Sequence, residues 1–294
     1  MSFIRTELSK NLGQIISNRP AIRYWRLCFR YLPALFLICL CVDARAQIKL
    51  SEQDITETIN YYKALNQLDE AKKLQAKMPT PIKDEKIRKD IMTNLPLTVL
   101  KLKVENAELT EKTKKLFEPI LRFYNRDKVY EIIIFKYKTP VMLSDTGVVI
   151  AISSGMIERA ESDDELMGYL AHEIGHEYFA PYSIFSRHLL KLVAENGREP
   201  ALNRKYLEAI ATIEMQCDAF AVITLTAFRY NSLSFVEGFE RAGKDFPEYS
   251  SGFHPDDEQR RKLVEQITLK ENLIIKPRVS TELKELKKIV EKIR

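Results

Sequence analysis

Leu166, Leu170 and Ile174 recur every fourth residue through a stretch of small and charged residues, a spacing that predicts a helix with one apolar face. Ser162-Asp163-Asp164-Glu165 marks its start as a capping box, with the Ser162 hydroxyl and the Glu165 carboxylate positioned to satisfy the first backbone donors, and Pro181 ends it. Val129-Tyr130-Glu131-Ile132-Ile133-Ile134-Phe135 is instead a β-branched and aromatic run, and predicts a strand. Two further strands are expected at about 140–143 and from Gly147 to Ile152, across the turn residues Ser144-Asp145-Thr146-Gly147. Ahead of the strands, an amphipathic helix over 52–77, opened by Ser51 and broken at Pro79 and Pro81, precedes helices at about 83–93 and 108–125. Beyond Pro181 the pattern is helical at about 184–194, 201–229, 234–242, 256–268 and 281–293. The fold expected is α+β and mostly helical, with a small three-stranded sheet and an N-terminal helical extension. There is no repeat, low-complexity tract or glycine-rich phosphate loop.

Charge changes the picture at the N-terminus. Residues 1–30 carry Arg5, Lys10, Arg19, Arg23, Arg26 and Arg30 against Glu7 alone, and Tyr31 to Val42 is then uncharged and mostly apolar, ahead of Asp43-Ala44-Arg45-Ala46. A basic region, a short apolar core and Ala-x-Ala before Gln47 predict a signal peptide over 1–46, cleaved after Ala46; retention as an N-terminal tether is the alternative. The apolar run is shorter than the roughly 20 residues a membrane-spanning helix needs. Setting 1–46 aside removes seven of the 46 basic and two of the 41 acidic residues, which leaves 39 of each over 248 residues. A neutral mature chain gives no compositional case for a nucleic-acid or acidic-membrane partner. Cys28, Cys39 and Cys41 fall in the same segment, so Cys217 stands alone: no internal disulfide and no cysteine-rich structural zinc site are possible. The longest mature apolar stretch, Ala219 to Phe228, is too short to span a bilayer, and a soluble periplasmic or secreted protein is expected.

The chemistry centres on His172-Glu173-Ile174-Gly175-His176, an HExxH motif in a chain with four histidines. Imidazoles four residues apart on a helix project from one face, where both can reach one zinc ion at roughly 2.0–2.1 Å, and the glutamate between them can act as base toward a water. Gly175 costs about 1 kcal/mol relative to alanine inside a helix, so something is expected to approach the backbone closely there. A catalytic zinc needs a third protein ligand, and two residues compete. Eighteen residues separate Glu195 from His176, the spacing of zinc aminopeptidases, but Ala194-Glu195-Asn196-Gly197-Arg198-Glu199-Pro200 reads as a solvated loop. Glu214 shares a helical stripe with Ile210, Cys217, Ala221 and Leu225, a face that looks buried, where an isolated carboxylate is costly unless paired or metal-bound. The pattern favours Glu214. Asp218, one turn on, is placed to accept a hydrogen bond from a ligand histidine's second nitrogen. His188 and Cys217 read as structural.

HEIGH on a helix after a strand-and-turn segment, Glu214-Met215-Gln216-Cys217-Asp218, and His254-Pro255 followed by Arg260 together resemble the HtpX and CAAX-prenyl-protease type of zinc metallopeptidase, metallopeptidase family forty-eight, over about 100–270. The resemblance implies a zincin fold of the gluzincin type, one zinc ion held by His172, His176 and Glu214, Glu173 as catalytic base, and His254 and Arg260 lining the cleft as catalytic residues, one or the other stabilising the developing oxyanion. Together with the N-terminal charge pattern and the helical periodicities, it gives the divisions expected here: signal peptide 1–46, helical extension 47–96, metallopeptidase domain 97–275 and charged C-terminal helix 276–294. Two departures stand out. Many relatives carry Asn-Ala-Phe before the strand nearest the active site, where this chain has Ser144-Asp145-Thr146-Gly147, and the separation of 38 residues between His176 and Glu214 is short for the family. The function expected is zinc-dependent endopeptidase action on protein or peptide substrates, in a role such as extracytoplasmic protein quality control. The strand Gly147 to Ile152 is a candidate for accepting an extended substrate by β-augmentation, or else an ordinary core strand. Two other functions fit the same residues: a latent protease fold serving as a binding or chaperone-like module, and a zinc aminopeptidase using Glu195.

Overall fold

The computed structural model describes residues 55–56, 67–145, 147–179, 200–246, 256–268 and 273–293, with side chains left out of account at 67–68 and 200–210. The predicted signal peptide, the helix at 184–194 with His188, and the candidate residues Glu195 and His254 lie outside them.

Four helices come first: α1 (Gln67–Ala76), α2 (Glu85–Thr93), α3 (Leu97–Lys101) and α4 (Ala107–Phe123). Asp84 caps α2 by accepting from the amides of Lys86 and Ile87, and Asn106 caps α4 by accepting from Leu109. α3 was not expected; its single turn follows Pro96, too short to show a helical period.

The sheet is built from β1 (Glu131–Phe135), β2 (Met142–Asp145) and β3 (Val149–Ser153) in the order β1-β3-β2. β1 and β3 are parallel, with Ile133 opposite Ala151, and β2 is antiparallel to β3, with Ser144 opposite Ile150. Ser144 and Asp145, expected in a turn, thus belong to β2. The strand starts after Pro140, which has no amide hydrogen for the ladder, and Val141 donates instead to the Ser153 hydroxyl. β3 is central and wholly buried. Paired on both edges, it has no free edge for β-augmentation, which corrects that expectation; among the described strands β2 is the outer one on the helix side.

A short helix, α5 (Ser154–Arg159), also not expected, follows β3 directly, with Ser153 accepting from the Met156 amide. Gly155 permits this sharp turn: a Cβ there would lie 2.0 Å from the Lys138 carbonyl oxygen.

α6 (Asp163–Tyr178) carries the HExxH motif. The Ser162 hydroxyl accepts from the Glu165 amide, while the Glu165 carboxylate accepts from Glu161 rather than closing the box on Ser162. Leu166, Leu170 and Ile174 are all in the core, and every residue of α6 except His176 and Tyr178 is buried. α6 packs against α7 (Pro200–Ala227), α8 (Ser232–Asp245) and the inner side of β2, and α9 (Asp257–Ile267) packs on α7 and α8. α1 lies along α7, while α10 (Thr281–Ile293) packs on α4 and α5 through buried Leu283, Leu286 and Val290. The result is an α+β, mostly helical zincin-like fold with one core running through helices and sheet. No described helix is long and apolar enough to cross a membrane.

Candidate active site

α6 and α7 approach closely because Gly175 has no side chain: a Cβ there would stand 3.1 Å from the Cα of Cys217 and 3.3 Å from its Cβ. The expectation of close packing at Gly175 thus has a named neighbour. It also sets the distance across which polar groups on the two helices meet.

His172 and His176 lie one turn apart with their Nε2 atoms separated by 3.1 Å. From α7, Glu214 brings Oε2 to 3.2 Å from His172 Nε2 and Oε1 to 3.6 Å from His176 Nε2. Ligand atoms held 2.0–2.1 Å from a tetrahedral ion are about 3.3–3.4 Å apart, so these donors have the spacing of three corners of one coordination shell. Glu173 joins the same group: its carboxylate and the two histidines have ligand atoms within 4.8 Å of one another. Glu214 approaches both imidazoles more closely than that limit requires, which makes it the better third donor.

The tautomer of His172 follows from its other nitrogen. Nδ1 lies 2.8 Å from Asp218 Oδ1, so it donates its hydrogen there and Nε2 is the nitrogen turned toward His176 and Glu214. Burial opposes charge on this ring, but hydrogen bonds to Asp218 and Glu214 and their negative charges outweigh it and push its pKa up to about 10. Such a site favours a cation, whether a proton or a metal ion. Asp218 is held in turn by Arg260 from α9, whose Nε lies 2.9 Å from Oδ2 and whose guanidinium sits 3.8 Å over the Phe239 ring. Arg260 is buried, and among the described residues it joins the site through Asp218. On His176, Nδ1 lies 3.5 Å from Cys217 Sγ. Burial pushes the Cys217 thiol well up, and Glu214 and Asp218 add to the effect, so it faces the histidine as a neutral group.

Two contacts escaped the sequence. Ser144 on β2 places its hydroxyl 2.9 Å from Glu173 Oε2 and 3.0 Å from the Glu173 carbonyl oxygen. Next to His176, Glu177 forms a buried ion pair with Arg126, whose Nε lies 2.8 Å from Oε2 and Nη2 2.7 Å from Oε1. Tyr130 donates to the same carboxylate at 2.8 Å, and Arg126 also reaches the Pro79 carbonyl at 2.6 Å. A glutamate inside a buried helix signals that some partner exists. Nothing local in the chain says which.

Residues 105–242 match peptidase family M48. The matched span begins just before α4 and ends within α8, so it contains the HExxH motif, Glu214 and Asp218 but stops short of Arg260. No curated protein matches the chain.

Proposed function

We infer from the membership of residues 105–242 in peptidase family M48 that this chain is a metallopeptidase, and we propose that it is a zinc-dependent endopeptidase. The observation that carries the proposal is the convergence of His172 Nε2, His176 Nε2 and the Glu214 carboxylate at mutual distances of 3.1, 3.2 and 3.6 Å. Two nitrogens and one carboxylate are the donor set of a catalytic zinc with an open position. A zinc ion bound there supplies Lewis acidity, polarising a carbonyl and lowering the pKa of water to about 7.

The protein's own groups then have distinct tasks. Asp218 fixes the ring of His172, and Arg260 fixes Asp218. Glu173 takes a proton from the attacking water and returns it to the leaving amine, with Ser144 placed to hydrogen-bond to its carboxylate. His254 is proposed, by resemblance alone, to stabilise the developing oxyanion. An extended substrate is proposed to pair with the outer edge of β2, whose inner side packs on α6; main-chain pairing there would fix register with little side-chain selectivity. An extracytoplasmic role in removing unfolded protein belongs to the same proposal, supported by the basic and apolar segment before Gln47 and the lone mature cysteine.

The test is cleavage of an unfolded protein by zinc-loaded wild type and Glu173→Gln, with products read by mass spectrometry. Internal cuts by the wild type and none by the variant, at equal zinc content, are expected. Stepwise loss of terminal residues would instead indicate an aminopeptidase, and binding without cleavage by either protein a binding module.

A further inference from the structure

We propose that Ser144 is a positioning residue for Glu173, setting the direction of its carboxylate and coupling it to the strand beside which substrate is proposed to lie. The inference rests on the reading of Glu173 as the base.

Three features of the structure lead to it. Glutamate has three side-chain torsions, so a base on a helix needs something other than the helix to aim it. Here that something comes from the sheet: Ser144 Oγ lies 2.9 Å from Glu173 Oε2 and 3.0 Å from the carbonyl oxygen of the same residue. A hydroxyl carries one hydrogen, so it donates to one of these at a time, and a carboxylate is the stronger acceptor. The backbone contact keeps the hydroxyl beside Glu173 even when the carboxylate swings toward a substrate.

Ser144 is itself held rigidly. It pairs with Ile150 in the register of β2 on β3, and β3 is the buried centre of the sheet. Alternation along a strand puts Ser144 on the same face as Met142, which is buried in the core, whereas Leu143 and Asp145 point to the other face. The hydroxyl is therefore delivered to α6 from a fixed point, and Glu173 inherits its direction from the sheet as well as from its own helix. A peptide pairing with the outer edge of β2 would be in register with the base through one side chain.

Ser144→Ala and Ser144→Thr test this, each compared with wild type for kcat and KM on a cleaved peptide, for bound zinc, and for the Glu173 side chain in crystals of the metal-free protein. Ser144→Ala should lower kcat about tenfold with KM changed less than about twofold, as expected for losing one hydrogen bond that matters in the transition state. Zinc content should stay the same, and the Glu173 carboxylate should leave its wild-type position. Ser144→Thr, which keeps the hydroxyl, should restore most of kcat. Wild-type kcat in Ser144→Ala, an unmoved Glu173, loss of zinc, or a threonine variant no better than alanine would each overturn the proposal. Glu173→Gln separates the two claims: if it cleaves as fast as wild type, the base assignment fails and this inference with it. If it is inactive while Ser144→Ala is unimpaired, only the positioning role fails.

Discussion

His172 is gripped by carboxylates on both of its nitrogens, and that decides how the site answers to pH. Its pKa of about 10 lies above that of an exposed imidazole, so protonated His172 stabilises the metal-free fold below about pH 6.5, and that contribution is lost as the pH rises through about 10. A metal ion needs the same Nε2 lone pair. Zinc binding at pH 8 should therefore expel a proton from His172 in addition to the one lost by a bound water with a pKa of about 7, and calorimetric titrations in buffers of different ionisation enthalpy should show close to two protons released per zinc. With Asp218→Asn that release should shrink, and zinc affinity should fall roughly 10–100-fold, the usual cost of losing a carboxylate behind a ligand histidine. An unchanged proton count in the variant would mean that Asp218 does not control this ring. At this scale the sequence was informative where chemistry is periodic: His172, Glu173 and His176 stand in one motif, and Glu214 and Asp218 fall on a helical stripe that looks buried. Ser144 and Arg126 were not readable, because their partners Glu173 and Glu177 are 29 and 51 residues away and only the fold brings them together.

The elements that position the site are a helix pair and an outer strand, and their joints are single residues. Gly175 lets α6 and α7 touch. Ser144 ties β2 to α6, and Glu177, in the last turn of α6, is tied to Arg126 in the link between α4 and β1. A Cβ at Gly147, whose φ is +71°, would meet the same Glu177 carboxylate at 2.5 Å, so the turn between β2 and β3 also closes on this helix end. Removing one partner of such a buried pair leaves a charge without compensation and costs about 3–5 kcal/mol. Arg126→Met should therefore lower Tm by roughly 10 °C. Adding Glu177→Leu should recover much of that loss; a double variant as unstable as the single one would show that packing rather than charge was lost. Most longer helices and all three strands could be predicted from periodicity and caps. The two short helices could not, since one or two turns carry no period, and the order β1-β3-β2 could not, since strand sequences do not state which strand is central.

Across the whole molecule, the segments expected to flank the catalytic domain share its core. α1 packs along α7, the helix that carries Glu214, and α10 buries Leu283, Leu286 and Val290 against α4 and α5. The chain leading into α10 is fastened to the start of α6: Ser280 donates from its amide at 3.1 Å and from its hydroxyl at 3.0 Å to Asp163, and Asp163 donates its own amide to the Arg278 carbonyl at 2.8 Å. The helix bearing the two histidines is thus fixed near its first turn by the C-terminal segment and near its last by Arg126. Charged surface along α10 concealed this role in the sequence, where a run of lysines and glutamates reads as a solvated helix. This framework holds two imidazoles and one carboxylate at the spacing of a zinc shell, and a zinc-edge anomalous difference map of the zinc-loaded protein tests that claim most directly. One peak bonded by His172 Nε2, His176 Nε2 and the Glu214 carboxylate is predicted; a peak ligated by Glu195 in place of Glu214, or no peak between the two histidines, would contradict it.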